Sequence, residues 1–188
     1  MLWYHWYIFA AMYTFSNLNI AIATITDIPA INRLLNSAYR GETSKQGWTT
    51  EADLIAGETR TDEADLKQVM EQEDSVFLKY TNEQHQITGC VNLQQYEDKL
   101  YLGMLSVEPQ LQGGGIGKQL MQAAEEYAKA LHCTAIYMSV ISVRTELVQW
   151  YERHGYKDTG ERHPFVGDEL IGRQLQPLEF MMMEKKIE

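Results

Sequence analysis

Gln112-Gly113-Gly114-Gly115-Ile116-Gly117-Lys118 separates a strand-like run from a helix-like one, and the junction says what each is for. The run before it, Lys99 to Val107, is apolar on both faces, with Leu100, Leu102 and Met104 on one and Tyr101, Leu105 and Val107 on the other. That pattern predicts a central strand covered twice, and Gly103 inside it hints at a bulge. After the glycines, Ile116, Leu120, Ala124, Tyr127, Ala128 and Leu131 keep helical spacing for about four turns. Strand, glycine turn and helix together make an anion site. A helix start leaves its first N–H groups without intrahelical partners and carries about half a positive charge, and glycines let a phosphate approach the backbone closely. Lys118 adds a full charge nearby. A Walker loop needs Gly where this chain has Gln112 and Ser or Thr where it has Gln119. The dinucleotide pattern Gly-x-Gly-x-x-Gly fails as well, ending on Lys118 when started from Gly113 and on Leu120 when started from Gly115. Gln-x-x-Gly-x-Gly remains.

Upstream, Ile20, Ile22 and Thr24 read as a first strand, and Thr26, Asp27 and Pro29 open a helix whose apolar stripe is Ile28, Ile31, Leu34, Leu35 and Ala38. A polar stretch from Arg40 to Trp48 follows, then two short predicted helices, Thr49 to Gly57 and Asp62 to Gln72. Ser75 to Tyr80 and Ile87 to Gln95 join Lys99 to Val107 in an antiparallel meander, because the connections are short. Downstream come a β-branched strand from Thr134 to Ile141, an amphipathic helix from Thr145 to His154, a short strand from Tyr156 to Thr159 and a closing strand from Leu178 to Lys185. The long segment from Gly160 to Pro177 is a flap or a substrate-contacting arm.

At 188 residues and 45% apolar content, the chain suits one core. Acidic residues outnumber basic ones by 26 to 16, and a formal charge of −10 repels nucleic-acid phosphates and attracts a cationic substrate. Cys90 and Cys133 make no disulfide framework, so a reducing cytoplasmic setting is expected. Histidines and cysteines show no metal spacing, and no metal is expected. Met1 to Phe15 is aromatic and almost uncharged, yet it lacks a basic start and meets Ser16 and Asn17 well short of the ~20 apolar residues of a spanning helix. Residues 1–18 therefore read as an extension, packed or disordered, with Met12 as an alternative start, and residues 19–188 as the domain. No stable membrane insertion is expected. A homodimer through the last strands or the aromatic N-terminus is compatible with the pattern.

The motif Gln112-x-x-Gly115-x-Gly117 resembles that of the GNAT superfamily of N-acetyltransferases, and Trp150-Tyr151-Glu152-Arg153-His154-Gly155-Tyr156 is similar to the family's aromatic-Tyr-x-Lys-x-Gly-Phe segment. The resemblance spans roughly Ile20 to Lys185 and is strongest from Leu102 to Tyr156. It implies an α/β (α+β) fold: a single domain with a mixed, mostly antiparallel sheet of about seven strands, flanked by helices, whose splayed central strands hold acetyl-coenzyme A. By the same resemblance, Gln112, Gly113, Gly114, Gly115, Ile116, Gly117 and Lys118 hold the pyrophosphate, and Met104, Leu105, Ser106 and Val107 bind the pantetheine arm as an added strand would. The family commonly has Asn where this chain has Arg144, and an arginine there could still meet a cofactor phosphate.

Acetyl transfer from a thioester needs a neutral amine, a stabilised oxyanion and a proton for the departing thiolate. Tyr151, a phenol of reference pKa about 10, is the expected general acid. A backbone N–H near Leu105 is the implied oxyanion donor. The base is a carboxylate, a histidine or a water chain, with Glu108 and Glu146 as candidates. Tyr39, Glu42 and Trp48 would line the pocket for a small-molecule or peptide amine. The competing reading is a cofactor-binding sensor or interaction module that keeps the fold without turnover.

Overall fold

The computed structural model describes residues 13–165 and 172–188. Residues 1–12 of the aromatic stretch, and 166–171 of the segment expected to form a flap or arm, lie outside the described residues.

Strand β1 (Ile20–Ile22) leads through a 3-10 turn into helix α1 (Ile28–Tyr39). Asp27 Oδ2 accepts the Thr24 N–H at 2.7 Å, and Pro29 sits in the first turn, where its missing N–H costs nothing. The stripe expected to be buried, Ile28, Ile31, Leu34, Leu35 and Ala38, is buried. A single turn, α2 (Gly41–Ser44), precedes the short strand β2 (Ile55–Ala56) and helix α3 (Glu63–Glu71), which Asp62 caps by accepting Asp65 N–H at 2.8 Å. The meander β3 (Ser75–Thr81), β4 (Ile87–Tyr96) and β5 (Lys99–Val107) follows as predicted. Then come α4 (Ile116–Ala130), β6 (Ala135–Ile141), α5 (Thr145–Arg153), β7 (Lys157–Pro164), β8 (Arg173–Gln174) and β9 (Glu179–Lys186).

Seven strands form one sheet in the order β1-β3-β4-β5-β6-β9-β7, antiparallel throughout except where β5 meets β6. Helix α4 covers one face, placing Leu120, Ala124 and Tyr127 against Leu78, Val91 and Leu102. Helices α1 and α3 cover the other, around Phe77 and Cys90. Phe15 and Tyr13 pack beside Tyr127, at 6.3 and 5.4 Å between ring centroids, so this end of the N-terminal stretch joins the core.

Three local expectations need correction. Thr49 to Gly57 is not a helix. Thr50 Oγ1 accepts the Ala52 N–H at 3.1 Å, a turn that competes with helical bonding, and Ile55–Ala56 pairs instead with Arg173–Gln174. Strand β7 continues past Thr159 to Pro164, irregular where Gly160 takes φ +85° and the register against β9 shifts. Within β5, the alternation read from sequence breaks. Cys90 pairs with Ser106 and Asn92 with Gly103, so Met104 and Leu105 together face Val91, and Met104 adopts φ +51°. The extra residue reverses which face each later side chain of the strand occupies. Met104 packs toward α1, opposite to Leu100 and Leu102, while Leu105 joins their side.

On the approach to that bulge β5 and β6 part. They pair only at Lys99–Ala135, Leu100–Ile136 and Tyr101–Tyr137, although β5 runs on to Val107 and β6 to Ile141. A wedge opens in the middle of the sheet. Leu35 lies fully buried under the α1 side of the sheet, so Leu35→Ala should lower unfolding free energy by about 2–5 kcal/mol in a denaturant titration. Leu18→Ala, at a site 88% exposed, should change it by less than about 0.5 kcal/mol.

Candidate functional site

The wedge ends on the glycine turn. Gly113 and Gly115 take φ +85° and +87°, which L side chains rarely adopt, and a Cβ on Gly113 would point into open space. Gly115 is the N-cap of α4, and Gln119 N–H, bonded to Gly115 O at 3.0 Å, makes the first helical bond. Among the described residues, no backbone or side-chain acceptor meets the N–H groups of Gly113, Gly115, Ile116, Gly117 or Lys118. They face a cavity of about 560 Å³. Among the described residues its charged lining is Lys118, Arg144 and Arg153 against the one carboxylate of Glu146, which suits a polyanion.

Two residues of the turn find hydrogen-bond partners within the protein. The Gln112 side chain is used up inside the protein: Oε1 accepts the N–H groups of Trp48 (2.9 Å) and Thr49 (3.3 Å), and Nε2 donates to Thr49 Oγ1 (2.8 Å) and Val107 O (3.1 Å). Its backbone N–H goes to Pro109 O, and that of Gly114 to Leu111 O at 3.2 Å. Gln112 therefore fastens the 47–49 loop to the end of β5.

Helix α5 supplies the opposite wall. Trp150 lies beside Gly117, where a Cβ would stand 3.7 Å from its ring, an ordinary packing distance. Trp150 packs on His154 at 4.2 Å, Tyr151 at 5.1 Å and Trp48 at 6.0 Å between centroids. Trp48 is thus part of this wall and remains 39% exposed.

A second cavity of about 270 Å³ opens on the other side of the wedge. Tyr39, Leu105, Arg144, Leu147 and Tyr151 line both spaces. The Tyr151 ring is buried, its hydroxyl has no hydrogen-bond partner among the described residues, and burial, aided by the neighbouring Tyr39, pushes its pKa well above the usual phenol value. Tyr39 Oη donates to Leu105 O at 2.8 Å, tying α1 to the bulge. Arg144 gives one nitrogen to Thr49 O at 2.6 Å and another to Glu51 at 3.3 Å, and Glu51 also holds the buried Arg40 at 2.6 Å. Much of the Arg144 donor fork is thereby spent on the loop that Gln112 also holds.

The remaining candidates fall apart spatially. Glu42 is exposed, paired with Lys45 at 2.6 Å, and lines neither cavity. Glu108 opens the 3-10 turn Pro109–Leu111 and also lies outside both, as does the buried Ser106. Met104 lines only the smaller space, and Leu105 and Val107 line the larger. Glu51, Arg60, Tyr101, Ser139 and Arg153 border the cavities without having been singled out from sequence. Arg153 stands in the Trp150-to-Tyr156 segment, which gave it a signal that the other four lacked.

A family model described as an acetyltransferase (GNAT) domain matches residues 48–171. The spermine/spermidine N(1)-acetyltransferase of Bacillus subtilis strain 168 is 26% identical over 78 residues, 41% of this chain and 51% of that protein. The chain thus spans about half the length of the curated relatives it matches. In fold, the chain is similar to the ribosomal-protein-S18-alanine N-acetyltransferase of Escherichia coli (TM-score 0.67, 15% identity, 89% of this chain and 92% of the other). It is also similar to smu.2055 of Streptococcus mutans UA159 (TM-score 0.68, 18% identity, 90% and 99%).

Removing the Gln112 fastening should be measurable. Gln112→Ala should cost about 1–2 kcal/mol in a denaturant titration followed by tryptophan fluorescence, since Trp48 and Trp150 report on the loop. Gln112→Glu should not rescue it, because an acceptor would then face Val107 O.

Proposed function

Because the chain belongs to the GNAT acetyltransferase family, whose domain model covers more than half of it, we propose that it is an N-acetyltransferase moving acetyl from acetyl-coenzyme A to a primary amine of a small molecule or peptide. The observation that carries this reading is the set of N–H groups of Gly113, Gly115, Ile116, Gly117 and Lys118, unpartnered among the described residues, at the mouth of a helix and facing a cationic cavity. These amides, with Lys118, would hold the pyrophosphate. The stretch of β5 past Tyr101, left unpaired by β6, offers its edge to the amides of a pantetheine arm. When bound, the cofactor supplies an activated acyl carbon and a thiol leaving group.

The protein's own contributions depend on where the side chains stand. Tyr151 reaches both cavities and keeps its proton at Oη, ready for a departing thiolate. The Leu105 peptide, on the shared wall, is the donor assigned to the acyl oxygen. Tyr39 holds the next peptide along the strand, through its hydrogen bond to the Leu105 carbonyl. Glu146, in the larger cavity, stays a candidate base, whereas Glu108 is too far removed to line either space. Cys90 and Cys133 are buried free thiols, in keeping with the cytoplasmic setting we propose.

Acetyl-coenzyme A at 100 times its dissociation constant should add about 2.7 kcal/mol to stability in thermal unfolding, and Gly115→Pro should abolish the gain. Failure of the cofactor to stabilise the native protein would end the proposal. With an amine panel and a free-thiol readout, Tyr151→Phe should lower kcat by about 10²–10⁴ with little change in cofactor affinity. A group whose folded pKa is raised stays protonated to higher pH, so kcat should not fall between pH 7 and 10. A loss with apparent pKa near 8 would remove Tyr151 as the acid.

A further inference from the structure

The smaller cavity has a charge opposite to that of the whole chain. The sequence carries −10, yet among the described residues the charged side chains lining this space are Arg60, Arg144 and Glu51. Glu51 is already engaged on both oxygens, Oε2 by Arg40 and Oε1 by Arg144. Arg60 is different. Among the described residues its guanidinium meets no carboxylate within ion-pair distance, and it stands 5.9 Å from the centroid of the Tyr39 ring. Its backbone is held in place, since Asn36 Oδ1 accepts the N–H groups of both Arg60 and Thr61.

Resting on the acetyl-transfer reading, we propose that the acceptor is an amine carrying its own carboxylate, an amino-acid-like zwitterion, and that Arg60 is the residue that takes the carboxylate. The guanidinium fork matches a carboxylate geometrically and is not consumed by the fold. A polyamine entering the same space would set additional ammonium groups against Arg60 and Arg144, with only a carboxylate already shared between two arginines to offset them. The negative field of the whole chain does not reverse this. It is screened over about 10 Å at 0.1 M salt, whereas Arg60 and Arg144 line the cavity itself. A volume of about 270 Å³ admits a molecule of amino-acid size, and Tyr101 Oη with Ser139 Oγ, 2.8 Å apart, gives the wall a polar pair for a side chain. The same guanidiniums favour the neutral form of a nearby amine over its ammonium, which is the form the chemistry needs.

Isothermal titration of the coenzyme A-loaded protein with tyrosine and tyramine, lysine and cadaverine, arginine and agmatine, and spermidine tests this without requiring turnover. At least one carboxylated member should bind tenfold or more tightly than its decarboxylated partner. Arg60→Ala should erase that difference and leave coenzyme A affinity unchanged, and Arg60→Lys should retain part of it. No preference in any pair, tighter binding of spermidine or a decarboxylated amine, or a preference that survives Arg60→Ala overturns the proposal. If Arg60→Ala does not fold, the native comparison and Arg60→Lys decide it. Failure of coenzyme A to load, seen before any amine is added, instead overturns the acetyl-transfer reading beneath it.

Discussion

Two residues of β5, Met104 and Leu105, set against the single Val91 of β4, create the site around which the molecule is organised. A bulge bends its strand and steepens the local twist, so the strand that has paired with β6 through Tyr101 turns away from it immediately afterwards. Every feature of the two cavities depends on that divergence. The glycine turn lies at the end of the deflected strand, Tyr151 lies where the two sides of the wedge communicate, and Tyr39 holds the bulge by its Leu105 carbonyl.

The loop after α2 is held with comparable care. Gln112 contributes four hydrogen bonds to that loop and to Val107, and Arg144 adds bonds to Thr49 and Glu51. Motif residues that sequence reasoning assigns to a ligand thus serve to position the wall that a ligand would meet. Preorganisation of this kind lets a site bind without paying for loop ordering at that moment.

The elements with strong periodicity were legible. The stripe of α1, the meander and the helix from Ile116 stand where the pattern put them, because burial of one face dominates in each. Thr49 to Gly57 was misread because its structure comes from Thr50 turning the backbone and from pairing with Arg173–Gln174, a partner more than a hundred residues away in the chain. The reversal at Met104 was invisible for a related reason: Gly103 hints at an irregularity, but only the register against β4 tells which residue is the extra one. The turn that opens α4 could be read from the glycines themselves. Arg60 could not, since an isolated arginine in a loop carries no signal until the cavity it borders is known.

An unpaired strand edge normally invites pairing with a strand from another chain. Here the exposed edge of β5 lies inside the sheet, with β6 diverging beside it and α4 and α5 lining the opening, so a foreign strand must enter a recess instead of adding to a border. The architecture keeps a backbone template available to a slender ligand and closed to intermolecular polymerisation.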